Sequence, residues 1–171
     1  MSRAFVRETD VPQLPELPPL ASPLPPGAKN YLTAAGAARL RAELTALLET
    51  RRPRLAAAAP DDFDAKRELQ LLDQRARYLQ ESLRTAEVVA PLAAPDDTVR
   101  FGATVTVRDA AGEMTAYRIV GVDEIDLERG HVSWLSPLAR ALLNTRIGTR
   151  VSLRTPRGAR ELEVVGLAYE P

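Results

Sequence analysis

The residues best suited to chemistry form an acidic cluster near the middle of the chain. Asp61, Asp62 and Asp64 fall within four positions in the stretch APDDFDAKRE, residues 59–68. Carboxylate oxygens are the ligands that Mg²⁺ prefers, so such a cluster can help to hold a divalent ion. The same side chains are favoured at a helix N-terminus, where they accept hydrogen bonds from free N–H groups. Two interpretations stay open: a carboxylate site on the end of an arm, or a charged capping turn.

A band of arginines flanks the acidic cluster on both sides. This basic band consists of Arg51, Arg52, Arg54, Arg75 and Arg77. Charge runs on helices are usually solvated faces joined by interhelical salt bridges. A negative tip on a positive shaft also suits a probe whose arginines face the phosphate backbone of a nucleic acid. The sequence leaves both interpretations of the basic band open.

Other kinds of chemistry find little support in the composition. The chain has no cysteine and one histidine, His131, which excludes thiolate zinc sites and histidine clusters. We expect His131 to be a surface residue in the turn LERGHVS. The sequence contains no GxxxxGK[ST] phosphate loop and no GxSxG elbow. Basic and acidic residues number 23 each, so any electrostatic function must be local.

The first 30 residues form a leader that differs in composition from the rest. It holds half of the 14 prolines, which remove backbone donors and favour extended polyproline geometry. We predict a disordered leader, with a specific peptide ligand as the alternative. Charge and proline interrupt its apolar residues, so it does not resemble a signal peptide, and no apolar run approaches the ~20 residues of a membrane span. We therefore expect a cytoplasmic protein without a membrane partner.

Two helical patterns must position the acidic cluster. A first helix is predicted from about 33 to 59 with Thr33 as N-cap, and Pro53 predicts a kink or local opening near Arg51. Its apolar stripe comprises Leu40, Leu44, Leu47, Leu48, Leu55 and Ala58. The second pattern has the alternating steps of a heptad seam at Leu69, Leu72, Ala76, Leu79, Leu83 and Ala86. The stripes bury each other only if the chain reverses around Pro60, which predicts an antiparallel coiled-coil hairpin over residues 31–92 with its tip at about 59–64.

A small β domain is predicted over residues 97–171. Alternating segments such as TVRFGATVTVRD and MTAYRIVGVDEI indicate antiparallel strands. Ser136 and Pro137 have the types expected at the start of one short helix. The predicted core comprises Trp134, Leu138, Leu142, Val151, Leu162 and Val164. The fold class is therefore α+β, a helical hairpin followed by an antiparallel β domain.

Several dispersed segments together resemble one known family. They are, in order along the chain, NYLTAAGAARLRAELTALLETRRP, RARYLQESLRTAEVV, FGATVTV, YRIVGVDEID, SPLARALL and GTRVSLRTPRGARELEVVGLAYEP. In this order they are similar to segments of the bacterial GreA/GreB transcript-cleavage factors, with the GreB branch closest. The resemblance spans residues 31–171. It implies a coiled-coil hairpin that enters the secondary channel of RNA polymerase and an FKBP-like β domain that docks on the channel rim.

The resemblance also implies roles for the residues singled out above. Tip carboxylates would help hold a Mg²⁺ ion shared with the polymerase, whose own active site would cleave the 3′ end of a backtracked RNA, so the chain would not itself be an enzyme. No cofactor or metal would be bound stably. The basic band would face nucleic acid, RNA or DNA. A hairpin that satisfies its own seam indicates a monomer.

The tip departs from the family pattern. Family members carry a string resembling Gly-Asp-x-x-Glu-Asn-Ala-Glu/Asp-Tyr, which this chain lacks between Arg54 and Arg67. The hairpin is also roughly a dozen residues short, and at 1.5 Å per residue ~6 residues per arm remove about 9 Å of reach. We therefore expect a modulator with weak or no stimulation of cleavage. The alternative is an active cleavage factor with a rebuilt tip.

Two further comparisons bear on function. DDFDA resembles the acidic tip of DksA-type factors, which modulate polymerase from the same channel, although the zinc cysteines of that family are missing. An FKBP-like domain is also compatible with a peptidyl-prolyl isomerase, which needs an aromatic-lined apolar pocket. The available aromatic residues are Phe101, Tyr117, Trp134 and Tyr169, and we expect most of them in the core. A plain interaction module with an unrelated partner is the remaining alternative.

Overall fold

The computed structural model describes residues 14–91, 96–156 and 158–169. The first 13 residues of the predicted leader lie outside this described part. The chain divides into two compact units, the first made of residues up to 21 with 43–80, the second of residues 22–42 with 81–171. The first unit contains the acidic tip and the basic band.

Helices α1, α2 and α3 form two helical arms joined at the acidic tip. Helix α1 spans Ala34–Thr45, a π-helical segment spans Ala46–Arg51, α2 spans Arg52–Ala58, and α3 spans Phe63–Thr85. The backbone N–H of Arg52 donates to the carbonyl of Leu47, five residues earlier, and Pro53 has no N–H to donate. The predicted local opening near Arg51 is confirmed in the form of this wider π-helical turn.

The π-helical segment shifts the apolar stripe of the first arm by one residue. A π-turn contains one residue more than an α-helical turn, so every side chain after it is rotated relative to a regular helix. Ala58, predicted to belong to the stripe, is exposed, whereas its neighbour Ala59 is buried. Leu40, which precedes the segment, and Leu47, which lies within it, are buried as predicted.

The heptad positions of α3 are buried along most of its length. Leu72, Ala76 and Leu79 are at most 5% exposed, which confirms their predicted burial, and Ala65 extends the same pattern toward the tip. The prediction for Ala86 was wrong, because the helix ends at Thr85 and Ala86 begins a strand.

The second unit contains a five-stranded sheet in the order β5-β4-β3-β7-β6. The strands are β3 (Ala103–Asp109), β4 (Met114–Val120), β5 (His131–Ser133), β6 (Arg150–Thr155) and β7 (Gly158–Tyr169). All neighbours are antiparallel except β4 and β5, which are parallel. His131 is therefore a half-buried strand residue paired with Arg118, and its prediction as a surface turn residue was wrong.

Two short strands next to the long helices were not predicted from the sequence. Strand β1 (Asn30–Thr33) pairs in parallel with β2 (Ala86–Val89). The amide of Asn30 donates to the carbonyl of Ser82 at 2.9 Å and to its hydroxyl at 3.2 Å. Each strand has four residues, which is too few to show a clear alternation, and their pairing depends on contacts between distant parts of the sequence.

The core of the second unit lies between the sheet and helix α4 (Pro137–Leu142). All six predicted core residues belong to it: Leu142, Leu162 and Val164 are buried, and Trp134, Leu138 and Val151 are partly buried against them. Helix α4 begins as predicted, since the Ser136 hydroxyl accepts a hydrogen bond from the N–H of Ala139 at 3.1 Å.

A buried carboxylate joins the start of α1 to the turn after β4. Glu124, 6% exposed, accepts hydrogen bonds from the N–H groups of Thr33 at 2.9 Å and Gly121 at 3.0 Å, and also from the Thr33 hydroxyl. The Thr33 oxygen in turn accepts from the N–H of Gly36 at 2.9 Å. This contact confirms Thr33 as the N-cap of α1.

Candidate functional site

The acidic tip, residues 59–64, consists of the four-residue turn between α2 and α3 and the first two residues of α3. Asp62 is the N-cap of α3, because its Oδ1 accepts hydrogen bonds from the N–H groups of Asp64 at 2.8 Å and Ala65 at 3.2 Å. Its backbone carbonyl accepts from Lys66 at 3.1 Å, which starts the helical ladder. The capping interpretation of the cluster is therefore confirmed for Asp62.

Asp61 and Asp64 have different surroundings from Asp62. Both are exposed, and within the described ranges neither side chain forms a hydrogen bond or ion pair. The backbone N–H of Asp61 donates to the carbonyl of Ala58 at 3.3 Å, which holds the turn closed. Phe63, which lies between them in sequence, is 54% exposed. The tip thus exposes to solvent the ring of Phe63 and two carboxylates that have no hydrogen-bond partner among the described residues.

The three aspartates do not form a metal site by themselves. In the part of the chain that the structure describes, no group of three or more His, Cys, Asp or Glu side chains is arranged to hold an ion. A Mg²⁺ ion needs near-octahedral coordination by six oxygens at about 2.1 Å, and two solvated carboxylates supply only part of that set. Any ion at the tip would take its remaining ligands from water or from a partner.

Three members of the basic band connect the two arms. Arg51 contacts Glu68 at 3.0 Å, and Arg75 contacts Glu43 through two hydrogen bonds of 2.8 and 3.2 Å. These pairs show that the arms are antiparallel, since the residue numbers rise along one arm as they fall along the other. The interpretation of these charges as interhelical salt bridges is therefore correct for Arg51 and Arg75.

The third cross-arm pair is also bidentate. Arg52 donates to both carboxylate oxygens of Asp73, at 2.8 and 3.3 Å. The hydrogen bond that Arg52 donates to Asp73 raises the pKa of the Arg52 guanidinium above its ordinary value, and the Coulomb attraction of Asp73 acts in the same direction. Two parallel N–H···O bonds fix the relative orientation of the side chains as well as their distance.

Arg54 and Arg77 differ from the other members of the basic band. Both are exposed, and neither forms an ion pair with any described residue. The band is thus divided: three arginines hold the arms together, and two keep their charge available for another molecule. This division matters for any electrostatic function of the arms.

The acidic partners Glu43, Glu68 and Asp73 were missed by the sequence analysis. A signal for two of the pairs was present, because an antiparallel register centred on residues 59–60 places residue 68 opposite 51 and residue 75 opposite 43–44. The Arg52–Asp73 pair does not follow this register.

The aromatic residues of the second unit are used for packing. Phe101, Tyr117, Trp134 and Tyr169 all pack against its hydrophobic core. Tyr31 contacts the rings of Phe101 and Trp134, with centroids 5.8 and 5.2 Å away. The cavity bordered by Phe101 and Tyr169 measures only ≈ 20 Å³. This is far below the ~300 Å³ at which ligand pockets begin, so these aromatics do not line a proline-sized pocket.

A larger cleft in the second unit has a charged lining. It measures ≈ 430 Å³ and is bordered by Arg39, Arg129 and His131 on one hand and by Glu124 and Asp126 on the other. Arg39 donates to the backbone carbonyl of Asp123 at 2.9 Å. A pocket for an apolar proline ring needs apolar and aromatic side chains instead.

No helix within the described ranges is both long and apolar enough to cross a bilayer.

Comparison with known proteins identifies similar sequences and structures. A family model described as "Transcription elongation factor, GreA/GreB, C-term" matches residues 94–169. Transcription elongation factor GreB of Pseudomonas aeruginosa is 41% identical over 152 residues, covering 82% of this chain and 90% of the relative. Transcription elongation factor GreA of Methylococcus capsulatus is 34% identical over 155 residues, covering 82% and 98%.

The solved structures similar to this chain include GreA factor homolog 1 (Gfh1) of Thermus thermophilus. The sequence identity is 28%, the match covers 82% of this chain and 99% of the other, and the TM-score is 0.39. A GreA/GreB factor from Nitrosomonas europaea is 24% identical, with 82% and 100% coverage and a TM-score of 0.41.

Proposed function

The chain belongs to the GreA/GreB family of transcription elongation factors, and from this membership we propose that it binds RNA polymerase at the secondary channel and acts there as a modulator with weak or no stimulation of transcript cleavage. The helical arms would enter the channel and the β domain would bind its rim. On this proposal the protein works as a monomer in the cytoplasm, and any RNA hydrolysis is carried out by the polymerase.

The proposal describes the two parts of the chain in finer terms. We propose that the helices within residues 31–92 form an antiparallel coiled-coil hairpin, and that residues 97–171 form an FKBP-like domain. The buried heptad positions of α3 and the bidentate pair between Arg75 and Glu43 support the first part. The five-stranded sheet with a short helix against its core supports the second.

The observation that carries the modulator proposal is that the tip lacks the string typical of the family and uses one of its three carboxylates for the cap of α3. Asp62 uses a carboxylate oxygen to cap α3, which leaves Asp61 and Asp64 as the exposed acids without partners among the described residues. A bound Mg²⁺ ion can stabilise the attacking water and the leaving oxygen in phosphodiester hydrolysis. Asp61 and Asp64 would face such an ion, whereas Asp62 would keep the turn closed beneath them.

Electrostatics gives the arms a second proposed role. Arg54 and Arg77 are the members of the basic band that carry no ion pair within the described residues, so they would face the phosphates of RNA or DNA. Arg51, Arg52 and Arg75 would contribute indirectly, because their cross-arm pairs hold the two arms side by side.

Backtracked elongation complexes with a labelled transcript test the proposal. We expect the purified protein to bind RNA polymerase, and we expect the transcript to shorten no faster than with polymerase alone. Rapid shortening that is lost in Asp61→Ala or Asp64→Ala but retained in Asp62→Asn would establish the alternative, an active GreB-type cleavage factor. Asp62→Asn is the matched control, because asparagine preserves the helix cap while removing one negative charge.

The exposure of Asp61 and Asp64 is what favours that alternative, since both carboxylates are free to approach an ion from outside. A peptidyl-prolyl isomerase is supported less well, because the aromatic side chains that such a pocket would need are packed against the core. Failure of the chain to co-purify with RNA polymerase would contradict both transcription proposals.

A further inference from the structure

The described end of the leader lies in the first unit and shows a period of three residues. Leu14 and Leu17 are half-buried, whereas Pro15, Glu16 and Pro18 are exposed. The segment from 14 to 21 contains no helix or strand. Polyproline II geometry has three residues per turn, so residues three apart face the same direction. One edge of the leader, defined by Leu14 and Leu17, is therefore covered by another part of the unit.

The covering surface is one face of α3, which we call the leader face: Gln70, Asp73, Gln74 and Arg77. The side-chain amide of Gln70 donates to the carbonyl of Pro15 at 3.5 Å, and that of Gln74 donates to the carbonyl of Pro18. Gln70 and Gln74 are one helical turn apart, and Pro15 and Pro18 are one polyproline turn apart. Two side chains one turn apart on the helix thus donate to two leader carbonyls three residues apart.

The chemistry of these contacts favours a proline-rich occupant. A proline residue has a backbone carbonyl but no N–H, so such a segment offers hydrogen-bond acceptors and few donors. The leader face supplies donors at matching positions through the two glutamine amides. A cavity of ≈ 190 Å³ between the two segments is bordered by Glu16 and Leu17 from the leader and by Gln70, Asp73 and Arg77 from the helix.

We propose that the leader face of α3 is a binding site for an extended, proline-rich, acidic peptide, and that residues 14–18 of the same chain occupy it. Docking brings the carboxylate of Glu16 to the cavity that Arg77 borders, which offsets part of the positive charge of the basic band. If the proposed function holds, the docked leader lowers the attraction of this face for phosphates, and its release restores it.

Cross-linking in the full chain tests the docking without polymerase, so its outcome is independent of the proposed function. Because the chain contains no cysteine, Glu16→Cys combined with Arg77→Cys introduces the only two thiols. We expect a short bis-maleimide to join them about tenfold faster than in the control pair Glu16→Cys with Leu71→Cys. Leu71 is 48% exposed and lies about 100° around the helix from Gln70. Equal rates in the two pairs would overturn the proposal.

Contact variants made in the Glu16→Cys, Arg77→Cys chain identify the cause of the proximity. Leu14→Ser with Leu17→Ser, and separately Gln70→Ala with Gln74→Ala, should reduce the cross-linking rate to that of the control pair. Leu20→Ser and Gln80→Ala are matched controls, because both residues are exposed and should leave the rate unchanged. If the cross-linking rate stays the same in the leucine and glutamine variants, the leader is not held by this face.

Competition tests the specificity of the site. A synthetic peptide with the sequence of residues 12–22, added at millimolar concentration, should displace the leader and slow the cross-linking reaction. The same peptide with serine at the positions of Leu14 and Leu17 should have no effect. Equal inhibition by both peptides, or inhibition by neither, would contradict a site that selects this segment.

Discussion

Gly36 in helix α1 and Glu124 in the turn after β4 lie so close together that no side chain fits between them. A Cβ atom built on Gly36 would be 2.6 Å from Cγ of Glu124 and nearer still to its carboxylate. Real Cβ atoms essentially never come within 3.0 Å of such an atom. The glycine is therefore required because the buried carboxylate needs this space to reach the N-terminus of α1.

The first prediction is that Gly36→Ala destabilises the protein. Within an ordinary helix, the change from glycine to alanine gains up to about 1 kcal/mol. Here the methyl group would displace Glu124, and overpacking of this kind costs about 1–3 kcal/mol. The sign of the change in unfolding free energy, measured by urea denaturation, decides between the two effects.

Glu124→Ala supplies the control for that prediction. This substitution leaves the N–H groups of Thr33 and Gly121 without their acceptor, at a cost of about 1–3 kcal/mol for each buried group. In the Glu124→Ala chain, Gly36→Ala should no longer destabilise, because the obstructing side chain is gone. An additive double-mutant cycle would show that the two residues do not interact in the proposed way.

The contact between Gly36 and Glu124 also illustrates what the sequence alone does not reveal. The helices, the buried positions Leu72, Ala76 and Leu79, and the N-cap Thr33 follow from the spacing of side chains within one segment. The partner of Thr33 is 91 residues away, and nothing in the local pattern indicates it. Pairings between distant segments depend on the assembled fold, which also explains why β1 and β2 were missed.

The candidate site was predictable to a similar extent. The position of the acidic tip and the capping role of its aspartates follow from residue types next to a helical pattern. Which aspartate forms the cap depends on the exact geometry of the turn, as does the division of the basic band. Arg51 and Arg54 look alike in the sequence, yet only Arg51 faces an acid on the other arm.

The second prediction concerns the cap of α3. Asp62→Ala should destabilise the protein by about 1 kcal/mol, because the N–H groups of Asp64 and Ala65 lose their acceptor. Asp62→Asn should cost much less, since asparagine accepts the same hydrogen bonds. Asp61→Ala is the control within the tip, because that side chain forms no hydrogen bond or ion pair with a described residue. Urea denaturation gives the free energy of unfolding of the three variants. An equal decrease of this free energy in all three would contradict the assignment of the cap.

The third prediction uses the π-helical segment. A π-turn holds one residue more than an α-turn, so deleting a residue there can restore a regular helix without rotating the residues of α2. Deletion of Glu49, which is exposed, should therefore leave Ala59 buried and the pair Arg52–Asp73 in place. Circular dichroism and urea denaturation should show retained helicity and a stability change smaller than that of the control.

The control for that deletion is the removal of Arg67 from α3. Arg67 is also exposed, but α3 is a regular α-helix, so its deletion rotates every residue on one side of the gap by about 100°. Leucines of the seam would then face the solvent. If both deletions destabilise the protein equally, the segment around Glu49 does not contain a removable extra residue.

The fourth prediction concerns pH and the turn between β3 and β4. Asp109 accepts hydrogen bonds from Arg160 at 2.9 Å and from the N–H groups of Ala111 and Glu113, both at 3.0 Å. The hydrogen bond from Arg160 and then that from Glu113 lower the pKa of the Asp109 carboxyl below its ordinary value. A lowered pKa in the folded state means that the contribution of Asp109 to stability is complete above about pH 4 and disappears as the pH falls through the folded-state pKa.

Replacement of Asp109 should therefore weaken the dependence of stability on acid pH. Asp109→Asn loses the charge-assisted contact with Arg160, so it should lower the melting temperature at pH 7 and differ little from the unmodified chain at pH 2. Asp97→Asn, at an exposed aspartate of the same unit, is the control. Thermal unfolding followed by circular dichroism at both pH values gives the four comparisons. A deficit of Asp109→Asn that is as large at pH 2 as at pH 7 would mean that lost turn geometry, and not the charge of Asp109, accounts for its effect.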